Sequence, residues 1–97
     1  MPLLALAALV AAHLFDFASF VLMTARHGLD AEINPLVVAM AEDHGLIGLT
    51  IAKVVSVVLV AATVAIIAPR RRRLAMAVLV IGITAGMVGG FSNIATL

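Results

Sequence analysis

The chain has 97 residues, of which 65% are hydrophobic and 11% charged, where a soluble globular domain has about half and about a quarter. That balance excludes an ordinary water-soluble fold and directs the reading to the lipid bilayer as the main solvent. Four of the six basic residues behind the formal net charge of +1 are contiguous, Arg70 to Arg73, which is a topology signal and no nucleic-acid footprint, and the absence of cysteine removes disulfides, thiolate metal sites and thiol nucleophiles.

The first apolar segment runs from Leu3 to Met23, enough at about 1.5 Å per residue to cross a hydrocarbon core of about 30 Å. It contains Asp16, whose insertion costs about 2.5 to 3.5 kcal/mol near the centre of a span. The eleven Leu, Phe and Val residues of the segment offer at most roughly 5 kcal/mol in return, and His13 consumes part of that. Insertion is favourable by a narrow margin, so a neighbouring helix is expected to help hold it. A cleaved signal peptide is the competing reading of the alanine-rich start. Against it stand the lack of a basic residue before the apolar run and the continuation of that run past Asp16.

Between 24 and 45 the chain turns polar, with Arg26, His27, Asp30, Glu32, Glu42, Asp43 and His44. Inside this loop Asn34 reads as an N-cap, Pro35 as the first helical residue and Gly45 as a stop. They bound a short helix over 35–44, too short to span and too apolar to float free, so it is expected at the membrane interface or folded over the bundle. The second span follows from Leu46 to Ala68 and the third from Leu74 to Leu97, joined only by Pro69 and the arginines. The fold expected is therefore an all-α integral membrane protein, a single domain of three transmembrane helices plus the short interfacial one. The positive-inside rule puts Arg70, Arg71, Arg72 and Arg73 in the cytoplasm, with the N-terminus; the 24–45 loop and the C-terminus then lie outside. Tryptophan and tyrosine are absent, so Arg26 and the arginine run are left as interfacial anchors.

Charged groups inside a bilayer tend to pair, and the spans hold two, Asp16 and Lys53. Asp16 lies beyond the middle of the first span and Lys53 before the middle of the oppositely directed second. Both come out about 5 Å outward of the midplane, which predicts an ion pair. His13, Asp16 and Ser19 share one helix face, and Lys53, Ser56 and Thr63 another. This stripe admits three readings: polar glue of a helix bundle, a proton or ion relay through His13, Asp16 and Lys53 with Glu32 at its mouth, or a metal site from His13 and Asp16 with Glu32, or from Glu42 and His44. No ligand spacing matches a strong metal motif, so neither metal nor cofactor is expected.

On the third span Gly82, Gly86 and Gly90 recur every fourth residue, Gly89 broadens the groove and Asn93 continues the face. Such a ridge lets another backbone approach closely. It serves equally for packing inside the chain and for self-association or contact with another membrane subunit.

Asp16, then Gly28, then Glu32-Ile33-Asn34-Pro35, then Lys53 form an ordered set. In this the chain resembles a family of small prokaryotic membrane proteins known only as a domain of unknown function. Its members look like this chain in having an intramembrane Asp, a G-x-x-x-E-x-N-P motif and a Lys in the next helix. The resemblance covers Leu14 to Ala65 and leaves the third span unconstrained. Where the family usually has a Thr one turn after the Asp, this chain has Ser19 and Phe20. The resemblance implies which residues matter and implies no reaction; read on the residues themselves, Glu32, Asn34 and Pro35 form either an outer lid over the Asp16 and Lys53 cluster or a plain helix cap with Glu32 exposed.

Three functions follow as expectations. A non-enzymatic accessory or assembly subunit of a larger membrane complex comes first, on the thin bundle, the glycine ridge and the lack of a nucleophile or cofactor motif. A small oligomeric transporter or ion pathway using Asp16, Lys53 and His13 is the alternative. An enzymatic or metal-dependent role ranks last.

Overall fold

A computed structural model describes residues 3–28 and 35–97. They form three helices, α1 (Leu3–His27), α2 (Pro35–Ile67) and α3 (Arg72–Thr96), and no strand among the described residues. All three are long and apolar enough to cross a membrane. Leucine and alanine dominate α1 and favour helix intrinsically. The valine-rich α2 does not; in an apolar medium, however, a helix is the one local structure that pairs every backbone N–H and C=O within the segment.

The helix ends follow from local chemistry. α1 extends beyond Met23 to His27, and within this last stretch the Thr24 hydroxyl bonds back to the Phe20 and Val21 carbonyls at 3.0 and 3.2 Å. It stops at Gly28, whose N–H bonds the Thr24 carbonyl at 2.9 Å while its φ of 74° takes the left-handed conformation that ends many helices. Pro35 opens α2, where its missing N–H and fixed φ cost nothing. Within α2, Gly45 has φ 68° and ψ −167° and kinks the element between 35–44 and the stretch that follows. Pro69 closes the second helix. The tight turn after it is held by the Arg70 and Arg71 N–H groups, which both donate to the Ile67 carbonyl, at 3.2 and 2.7 Å.

α1 packs most extensively against α3, and the α1–α2 seam is the sparsest of the three. α1 and α3 run parallel: His13 bonds the Gly82 carbonyl and His27 the Leu97 carbonyl, each at 2.8 Å. The glycine ridge faces α1. A Cβ on Gly86 would lie 2.8 Å from the Ala12 carbonyl carbon and one on Gly82 3.0 Å from Leu9 Cδ1. A Cβ on Gly90 would overlap the Phe15 ring, which instead meets Phe91 edge to face at 5.2 Å and 74°. Of the two uses the sequence left open, this face therefore serves packing within the chain, and a partner of α3 would have to use its other faces. At the arginine end Leu9, Val64, Ala75 and Leu79 form a compact core shared by all three helices.

Because Gly86 faces backbone that cannot rotate away, Gly86→Ala is expected to destabilise the bundle by about 1 to 3 kcal/mol. Gly82→Ala, which meets only side-chain ends, should cost less. Denaturation of the purified protein in mild detergent, followed by circular dichroism, measures both.

Candidate functional site

The site is built where α1, α2 and α3 converge on Asp16. Asp16 and Lys53 each stand near the middle of a membrane-length helix, and the antiparallel run of α1 and α2 brings them to one level. Lys53 Nζ donates to Asp16 Oδ2 at 2.6 Å, with the two side chains 25% and 24% exposed. From α3, Asn93 Nδ2 lies 3.2 Å from Asp16 Oδ1, 3.1 Å from the Asp16 carbonyl oxygen and 3.1 Å from Ser19 Oγ. Ser19 Oγ in turn donates to the Asp16 carbonyl at 3.0 Å. All the oxygens around Nδ2 are acceptors toward it, which fixes the orientation of the Asn93 amide. Asn93 and Ser19 are both buried.

Gly89 completes the arrangement by having no side chain. A Cβ there would sit 2.5 Å from Asp16 Oδ1, so the carboxylate occupies the space a larger residue would fill. The fourth ridge glycine thus serves the ion pair, whereas Gly86 and Gly90 serve helix packing.

Other polar residues of the stripe fall elsewhere. His13, one turn below Asp16 on the same face of α1, directs Nε2 to the Gly82 carbonyl at 2.8 Å, and its buried Nδ1 has no hydrogen-bond partner. The parallel α3 offers an exposed backbone acceptor at Gly82, where a side chain would otherwise cover it, and the imidazole takes it. Ser56 is exposed and bonds only the Ala52 carbonyl of its own helix, at 2.8 Å, as Thr63 does with Leu59; neither joins the cluster. Glu32 and Asn34 lie outside the described residues, and Pro35 is the first residue of α2. Among the described residues no group of three or more His, Asp or Glu side chains is arranged to hold a metal ion.

A cavity of about 350 Å³ opens beside the pair, lined by Asp16, Lys53, Asn93 and Ser92 and by apolar side chains from all three helices, including Val37 from before the Gly45 kink. The Lys53 ammonium carries three N–H donors and gives one to Asp16. Ser92 had no signal in the sequence beyond adjacency to Asn93. Asn93 itself had one: it lies one turn beyond the ridge, at the level where an intramembrane carboxylate needs a second donor.

The helices and this site define a class, a three-helix candidate membrane protein organised around a partly buried Asp–Lys–Asn network. No protein-family model matches the chain, and neither a curated protein nor a solved structure matches it at a significant level.

The pair predicts a sign reversal on double substitution. Lys53→Met alone leaves the carboxylate without its counter-charge, and because the pair is about a quarter exposed and Asn93 still donates to Asp16, it should cost about 1 to 3 kcal/mol. Adding Asp16→Leu should restore part of that loss. Unfolding free energies of the wild type, both single variants and the double variant in detergent test it; simple additivity would mean that the pair does not form.

Proposed function

We propose that this chain is a non-enzymatic accessory or assembly subunit of a larger membrane complex, a multi-pass protein with the N-terminus and Arg70–Arg73 cytoplasmic and the C-terminus outside. The 35–44 stretch is assigned to the outer interface, where its kink at Gly45 lets it leave the axis of the span. The observation carrying the functional reading is the state of α2. Val64 is the one residue buried among its 33, against five each in α1 and α3.

Beside Lys53, on the side away from α3, α1 and α2 leave an apolar groove of about 340 Å³ lined by Val10, Leu14, Phe17, Val54, Val57 and Val58 among others. Lipid tails are as apolar as this groove, so solvophobic force alone does not select a protein partner there. Shape and stiffness do. β-Branched valines already hold one χ1 rotamer in a helix, so a row of them presents a fixed surface that loses little side-chain entropy when another helix packs on it. The charges, meanwhile, are engaged with one another, Lys53 with Asp16, which suits a scaffold better than a conduit.

Extraction from native membranes in a mild detergent is expected to return the chain with a stoichiometric membrane partner, and Val54→Ala with Val58→Ala should release that partner while leaving the chain folded. A stable monomer with no partner would overturn the proposal.

The alternative, a small oligomeric transporter or ion pathway, is favoured by the cavity that reaches Asp16 and Lys53. It requires a proton or cation flux in reconstituted vesicles that Asp16→Asn abolishes; no flux, or one unchanged by that substitution, removes it.

A further inference from the structure

We propose that the α2–α3 hairpin carries a specific site for an anionic phospholipid, with Arg72 on the headgroup phosphate and an acyl chain in the groove between the two helices. At this end the helices part to leave a cavity of about 560 Å³ lined by Arg72 and by Ala65, Ala68, Ala75, Met76 and Leu79 among others. One guanidinium at the mouth of a hydrocarbon-lined groove is the chemistry of an amphiphile: a phosphate for the fork of N–H donors, and a chain for the wall beneath.

Charge complementarity selects the headgroup. Arg70 to Arg73 form no ion pair among the described residues, where Asp16 and Lys53 make the salt bridge observed. Every acidic residue of the chain falls between Asp16 and Asp43 in sequence, and those described stand toward the other end of the bundle. The positive charge of the hairpin must therefore be balanced from outside the chain, and the surface it meets is a leaflet. Basic pockets between transmembrane helices at this depth are suited to anionic headgroups.

Two details separate Arg72 from its neighbours. It is the first residue of α3, whose N-cap, Arg71, makes no side-chain capping bond, so the positive end of the helix dipole adds to the guanidinium. It is also the arginine that lines the cavity. Free inorganic phosphate would meet the charge alone; the apolar wall commits the site to a lipid. The inference rests on the membrane reading of the fold and stands whether or not the chain is an accessory subunit.

The test uses the full chain in nanodiscs of equimolar phosphatidylglycerol and phosphatidylcholine, with retained lipid counted by native mass spectrometry. Wild type is expected to keep the anionic lipid about tenfold over the zwitterionic one, the scale of one charge-assisted contact. Arg72→Gln should bring the ratio close to unity. Arg70→Gln, which removes the same charge away from the cavity, should stay within about twofold of wild type. Ala65→Leu keeps all four arginines and fills the groove, and it too should lower retention. Equal losses in Arg70→Gln and Arg72→Gln would reduce the effect to general surface charge and overturn the proposal, as would equal retention of both lipids by the wild type or full retention by Ala65→Leu.

Discussion

A carboxylate and an ammonium cannot remain apart in hydrocarbon without a large desolvation cost, and most of this structure follows from keeping Asp16 and Lys53 together. The pair fixes the level at which α1 and α2 cross. It also draws α3 in, because a carboxylate satisfied on one oxygen still presents another; Asn93 supplies that donor and Gly89 the space for it. The three helices are thus tied at one height by polar contacts and lower down by the core around Leu9. Two attachment levels of different chemistry define a register that either alone would leave loose, since apolar side chains can slide against one another at small cost and a hydrogen-bonded charge pair cannot.

The same geometry explains why the glycines of α3 are not equivalent. Close approach of parallel helices needs small residues at the crossing, and Gly86 meets the Ala12 backbone there. Three residues along, the requirement changes from backbone approach to charge accommodation at Gly89. A single ridge therefore carries a packing function and an electrostatic one, and the valine-rich α2 is left at the edge with its lipid-facing surface open. Two helices clasp each other, while the third is held to them by the ion pair and the core and displays its remaining circumference.

Much of this could be read from the residues. Three spans were evident from length and hydropathy, and the meeting of Asp16 with Lys53 could be inferred because helix rise converts sequence position into depth. What escaped was rotation about the helix axis. His13 and Asp16 are neighbours on α1, yet the imidazole bonds the Gly82 carbonyl of α3. Ser56 shares a spacing with Lys53 but bonds its own helix, an option that periodicity does not register. The ridge could be recognised but not its partner, since a small-residue face looks the same whichever helix it receives. Likewise the polar end of α1, from Thr24 to His27, lies outside any hydropathy window.

The connection order of the network has a consequence for how the chain is made. Asp16 emerges from the ribosome first, its counter-charge follows 37 residues later and its amide donor 77 residues later. During that interval α1 holds an uncompensated carboxylate with only a narrow margin of insertion energy. The acid gains its counter-charge only once α2 has been made, and it becomes fully satisfied only when the final helix is in place. A polar contact that acts as a fastener in the finished protein acts during synthesis as a checkpoint, through which truncated chains lacking α3 cannot pass with Asp16 fully bonded.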